Sequence, residues 1–299
     1  MNSHASFHPV FFPQPRFIGM KHKSERSVTD GPPIATISGW EDGQQFTRAL
    51  SKLDRWELQA ADILTVHIED VNIQLAQDPH SPHLGGYVWL SSMVLCSYLQ
   101  NLALHHRRDR HEPVKVDDKA TWIELGSGVG LMGIMLAKLG VQRVVMTDIE
   151  ELVDTMTTNV TLNGMICKDL DGREIGTLPP TGKEEGQVVV APLFWGDKEA
   201  IMKTKDRYKP DYILACDCIY SEASAIDLVE TMALLCTPTT IIVCMSEVRN
   251  QAAQDAFIRE AKRLFDVELV PTVKWHGKVA KHIAFDETLN LYRLKIKLL

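Results

Sequence analysis

Thr121-Trp-Ile-Glu-Leu-Gly-Ser-Gly-Val-Gly-Leu-Met-Gly133 is the stretch whose reading decides the fold. Trp122 and Ile123 read as the end of a buried strand, and Val129 to Leu139 as the apolar helix that follows. Glycines at 126, 128 and 130 let the backbone turn sharply and approach a ligand where a Cβ would clash. The helix N-terminus behind them offers unpaired N–H groups. Strand, glycine turn and helix in that order mark the carboxyl end of a parallel strand, where open α/β sheets bind their ligands. A tight turn with no ligand is the plainer alternative.

The wording of the loop separates the possible ligands. A dinucleotide fingerprint needs its third glycine at position 131, which is Leu131. What stands here, Glu124-Leu-Gly-Ser-Gly-Val-Gly130, is the E/D-x-G-x-G-x-G form seen in S-adenosylmethionine (SAM)-dependent methyltransferases. Glu124 and Asp148 set acids beside the loop, which suits a cationic cofactor with ribose hydroxyls and not a pyrophosphate. Asp148 ends the neighbouring strand, Arg143–Asp148, where an acid takes the ribose hydroxyls of an adenosine. Capping the following helix, 150–163, is its other reading.

Working towards the N-terminus, residues 1–38 lack periodicity and read as a disordered extension. Phe46, Leu50 and Leu53 suggest a helix over 40–54, and residues 56–68 and 71–75 suggest strands of an accessory hairpin. The breaker-rich loop 78–86 leads into an amphipathic helix over 87–99. His105–His111 (HHRRDRH) reads as a solvated loop and not an RNA-binding patch, because no aromatic interleaves it.

Towards the C-terminus, Gly140 stops the first helix. Residues 165–186 read as a loop insertion with a small turn at 169–173. Strands follow at 187–193, 211–217 and 240–247, with helices at 222–236 and 251–265. Trp195 lies just past the third strand, either against an adenine face or as a core or lid residue. The fourth strand is apolar until its tip, where Asp217 stands beside Tyr220. Two closing strands, 267–275 and 289–298, lack room between them for a crossover helix and should pair antiparallel. The fold expected is α/β and Rossmann-like, a seven-stranded parallel sheet with one antiparallel terminal strand. It would divide as an extension (1–38), an accessory segment (39–83) and the sheet domain (84–299).

Composition bounds the function. A net charge of −7 argues against broad binding to nucleic acid. No apolar run approaches the roughly 20 residues of a membrane span. Prolines interrupt the start of the chain where a secretory leader would be apolar, and the six cysteines lack paired CxxC spacing. A cytoplasmic setting, with the nucleus also open, is expected.

Four stretches then match one family: Tyr87–Leu99; Glu124–Gly130; Val145–Leu152 with Asn159 and Asn163; and Ala215-Cys-Asp-Cys-Ile-Tyr220, with Phe194-Trp195-Gly196 in support. The chain resembles the family 16 seven-β-strand protein-lysine methyltransferases, most of all the branch acting on valosin-containing protein. The resemblance covers roughly residues 84–299. It implies SAM as cofactor, held by Trp89, the loop Gly126-Ser127-Gly128, Asp148, Trp195 and the backbone around Cys216. It implies that Asp217 and Tyr220 line the entrance for a lysine of a folded protein, such as a chaperone, an AAA ATPase or a translation factor. A monomer is expected. Histidine or small-molecule methylation, and a silent SAM-binding module, stay open as alternatives.

Overall fold

A computed structural model describes residues 33–297 other than 42, 52–53, 106–111, 113, 177–186, 282, 284 and 286–287. The described residues open on a four-stranded antiparallel sheet. Its strands are β1 (Ala35–Glu41), β2 (Gln44–Leu50), β3 (Ile63–Ile68) and β4 (Val71–Ala76), in the order β2-β1-β3-β4. Helix α1 (Arg55–Ala60) interrupts it, capped by Asp54, whose carboxylate accepts from the Trp56 and Glu57 amides.

Three expectations change here. The helix expected over 40–54 is a hairpin, with Glu41 paired to Gln44 across a turn through Gly43, whose φ is +75°. Asp42-Gly43 is a strong hairpin signal, and it outweighs two coincidental apolar spacings. The strand expected over 56–68 is helix α1 followed by β3, because the Asp54 cap starts a helical turn. β1 also falls partly in the stretch read as disordered; residues 1–32 lie outside the described residues, as does 106–111 of the charged run.

Helix α2 (Leu90–His105) follows, and it is not amphipathic: Met93 to Gln100 are all buried. The N-terminal sheet covers its outer side with Leu64, Val66, Ile73 and Leu75, while the main sheet lies behind it. A face that would meet water in an isolated domain is apolar here because a second sheet covers it.

The main sheet contains β5 (Thr121–Leu125), β6 (Arg143–Asp148), β7 (Ile166–Lys168), β8 (Gln187–Pro192), β9 (Tyr212–Cys216), β10 (Ile241–Glu247), β11 (Phe265–Leu269) and β12 (Leu289–Ile296). Its order is β11-β12-β10-β9-β5-β6-β8-β7, and β12 alone runs antiparallel to its neighbours. The helices between them are α3 (Leu131–Lys138), α4 (Val153–Leu162), α5 (Lys198–Tyr208), α6 (Glu222–Leu235) and α7 (Gln251–Leu264). One apolar core lies between this sheet, α2, α3, α4 and the N-terminal sheet; a second lies under α5, α6 and α7.

The parallel α/β sheet with its antiparallel β12 is as expected, with an eighth strand added. β7 pairs parallel with β8 inside the stretch read as a loop, and three residues are too few to show a period. The turn at 169–173 is present, the Asp169 carboxylate accepting from the Arg173 amide at 2.9 Å. The penultimate strand ends at Leu269, not at 275. Pro271 has no N–H for the ladder, and a short helix, α8 (Thr272–Trp275), starts there. The described residues belong to one compact unit, in which the N-terminal sheet packs on α2.

Candidate functional site

β5, β6, β8, β9 and β10 end on one edge of the sheet, and two clusters meet there. The first is the glycine loop. Gly126, Gly128 and Gly130 all have positive φ (+68°, +55° and +90°), which only glycine adopts freely. Space is as tight as the torsions. A Cβ on Gly126 would stand 2.7 Å from Cys218 Sγ and 3.2 Å from the Trp195 ring, and one on Gly128 would stand 2.9 Å from the Gly85 carbonyl.

The loop's polar atoms are largely satisfied from within. Thr147 and Ser127 exchange two hydrogen bonds: the Ser127 amide donates to the Thr147 carbonyl at 3.0 Å, and the Thr147 amide donates to Ser127 Oγ at 3.1 Å. The Gly128 amide donates to Asp148 Oδ2 at 2.7 Å, and the Ile149 amide to Asp148 Oδ1 at 2.8 Å. Asp148 therefore braces the loop and does not cap α4, which enters through a 3₁₀ turn at Glu150–Leu152. Burial pushes its carboxyl up, and the two amides pull it back.

Glu124 lies beneath the loop, 2% exposed. Burial raises its carboxyl to about 8, against hydrogen bonds from Ser127 and the Gly133 amide. Burial thus works against the charge expected of it beside the loop. Its Oε2 has no partner. The chain has a cradle of backbone where a Cβ would collide, an acid at the adjacent strand tip, and an orphaned buried oxygen below. Half-buried Trp195 walls the cradle at Gly126. These features fit an adenosine-bearing cofactor.

The second cluster lies at the ends of β9 and β10. Asp217 has a φ of +59°, unusual for a residue with a side chain, and its amide donates to the Met245 carbonyl at 2.8 Å. That turn aims the carboxylate at Arg249, whose two terminal nitrogens meet its oxygens at 2.8 and 2.9 Å. Burial pushes the Asp217 carboxyl up, and Arg249 draws it down. Arg249 also donates to Glu247 Oε2 at 3.1 Å, and its guanidinium carbon lies 4.1 Å from the centre of the Trp89 ring. Arg55, on α1, holds the other Glu247 oxygen. Asp217 is not spent on capping α6, since Ser221 does that by accepting from the Ser224 amide.

The two clusters meet through aromatics. Tyr220 is 43% exposed, and the centre of its ring lies 6.3 Å from that of Trp195. Trp89 is fixed by its indole N–H donating to the Leu84 carbonyl at 2.8 Å, and Tyr87 leans on it at 5.5 Å. Cys216 is buried at the tip of β9, with its thiol pushed up by burial. Thus Gly126, Ser127, Gly128, Asp148 and Trp195 gather on one side, and Trp89, Asp217 and Cys216 on the other, with Tyr220 between. Glu124 stands below as support. Sequence reasoning missed Arg249, Glu247, Arg55 and Gly85. Arg249, a lone cation just past a strand tip, obeys the same edge rule that picked out Asp148 and Asp217.

An α/β sheet with a glycine-turned strand and an acid on the next tip defines a nucleoside-cofactor protein of the methyltransferase type. Residues 67–264 match the family model described as "Lysine methyltransferase", well over half of the chain. The chain belongs to that family. Mouse protein-lysine methyltransferase METTL21E is 32% identical over 185 residues, 62% of this chain and 64% of its own length. Protein N-lysine methyltransferase METTL21A of Xenopus tropicalis is 31% identical over 66% of this chain and 75% of its own. Protein-lysine N-methyltransferase EFM6 of Saccharomyces cerevisiae is 25% identical over 65% and 76%. The chain thus spans less than two thirds of the mouse protein it matches. Among solved structures, SMU.776 complexed with SAH aligns at a TM-score of 0.47 and 9% identity over 84% of this chain and 59% of its own, too distant to inform the site.

Proposed function

We propose that this chain is a SAM-dependent methyltransferase that modifies a lysine ε-amine of a folded protein. The observation that carries the reading is the Asp148 carboxylate on the Gly128 amide. A dinucleotide pyrophosphate would need that amide, and an anion of the protein already holds it. A cationic, phosphate-free nucleoside meets no such conflict. The family membership and the lysine methyltransferase names of the relatives support the acceptor class.

When bound, SAM supplies an electrophilic methyl group on a sulfonium. The chain's own part is to hold, orient and control a proton. Gly126, Ser127, Gly128 and Asp148 would grip the nucleoside, with Trp195 and Trp89 flanking. Asp217 would receive the incoming ammonium and Tyr220 would wall its path, a cation–π contact of about 0.5–2 kcal/mol. A lysine of pKa ~10.4 exposes its neutral amine at pH 7 at a cost of about 4.6 kcal/mol. Desolvation between aromatic walls lowers that cost, and the proton leaves to water before attack. We extend the reading to a chaperone, AAA ATPase or translation factor as acceptor, and to a monomer working in the cytosol or nucleus.

The test is mass spectrometry of a lysate from cells lacking the gene, supplied with the protein and labelled SAM. Label on lysine of a small set of proteins is expected; label on histidine or a metabolite, or no calorimetric binding of SAM, would overturn it. One observation favours a second reading. Asp217 is already paired with Arg249, as it would be in a silent SAM-binding module. SAM binding with no label transferred to any acceptor would select that module.

A further inference from the structure

The Asp217 side chain is 1% exposed and that of Arg249 is 26% exposed. Arg249 is therefore the side that faces out, and an amine arriving from solvent meets a guanidinium before it meets the carboxylate. The surroundings of that guanidinium are those of a cation receptor. They comprise a carboxylate reached by two nitrogens at 2.8 and 2.9 Å, an indole face at 4.1 Å, and a second carboxylate at 3.1 Å. A carboxylate with an aromatic face is what an alkylammonium ion needs. Arg249 leaves from the bend just after β10 and before α7, so its side chain swings without unwinding either element. Glu247, itself held by Arg55, keeps a contact for the arm once the fork to Asp217 is broken.

We propose that Arg249 is a resident cation filling the acceptor subsite, displaced from Asp217 and Trp89 when the acceptor's ammonium enters. This rests on the lysine reading for the chemistry of the acceptor. It makes Arg249 a specificity-determining residue, because only a cation able to replace a guanidinium on both the carboxylate and the indole face gains entry. Neutral amines, hydroxyls and carboxylates leave the plug in place. A ligand that finds its site open in only a tenth of molecules loses about tenfold in apparent affinity.

The probe is butylammonium, titrated calorimetrically into the full chain saturated with S-adenosylhomocysteine, which carries no methyl to transfer. The titration is run at about pH 9, so that a carboxyl deprived of its arginine is ionised. Arg249→Gln is expected to bind butylammonium about tenfold or more tightly than the natural chain. Adding Asp217→Asn to that variant should abolish the gain. If Arg249→Gln does not fold, Arg249→Lys serves, since a lysine makes a point contact where arginine makes a fork; a smaller gain is expected. Affinity unchanged or weakened in the folded variant overturns the proposal and leaves Arg249 as a strut for Asp217. Failure of the methyltransferase reading would look different: no heat on adding S-adenosylhomocysteine, or no lysine label from the natural chain, whatever butylammonium does.

Discussion

The glycine loop and the Asp217 corner lie on the same sheet edge and are built on opposite plans. The loop is fixed by backbone: three positive-φ glycines, amides bonded to Asp148 and Thr147, and no room for a Cβ. The corner is fixed by side chains: Arg55, Glu247, Arg249 and Asp217 form a chain of alternating charge, with Arg249 lying over Trp89. A backbone site has one geometry and suits a ligand that never changes. A side-chain site held by exchangeable ion pairs suits one that differs from protein to protein, and that enters and leaves. Donor binding and acceptor choice should therefore be separable by mutation.

Asp217→Ala strikes the corner hardest. It removes one of the two carboxylates that Arg249 meets; Glu247 and solvent still hold the guanidinium, so the loss is about 2 kcal/mol. Methyl transfer should fall at least about a hundredfold while SAM still binds. Scintillation counting of acceptor and calorimetry of SAM check the two halves; loss of SAM binding as well would merge the two regions into one.

Asn159→Ala probes the support behind the loop. Its buried side chain accepts from the Ala76 amide at 2.7 Å and donates to the Ala76 and Val129 carbonyls at 3.0 and 2.8 Å. Leaving those groups unpaired should cost about 3 kcal/mol, read from the urea midpoint. Asp148→Ala releases the Gly128 amide and should weaken SAM about tenfold, near the low end for a charged hydrogen bond, with acceptor KM unmoved. Unchanged SAM affinity would remove Asp148 from the donor site.

Glu124 gives the smallest effect at neutral pH and the most specific one. Burial raises its pKa from 4.5 to about 8, so the folded state keeps a proton that the unfolded chain has lost. The sign follows: this stabilisation is full below pH 4.5 and is lost as pH rises to about 8, beyond which it is gone. Between pH 7 and 8 the slope amounts to roughly 1 kcal/mol. Thermal melts of Glu124→Gln should lack that slope; an unchanged slope would assign it to another group.

What the sequence made legible follows the same division. The loop, Asp148 and the strands around them are written in consecutive residues, so glycine spacing and apolar runs were enough. Asp217 and Tyr220 were visible because they sit at a strand tip. The pairing of Asp217 with Arg249 was not, since it depends on β9 and β10 ending side by side. Likewise Met93–Gln100 reads as a helix but not as one buried on both sides, because the sheet that covers it comes from earlier in the chain. Asp42-Gly43 is legible as a hairpin turn, against the helical spacing of Phe46, Leu50 and Leu53.

The family match begins at residue 67, yet Arg55 holds Glu247, one bond away from the arginine on Asp217. A substitution at Arg55, before the residues that match the family model, thus reaches the Asp217 corner through Glu247 and Arg249 without touching a glycine of the loop.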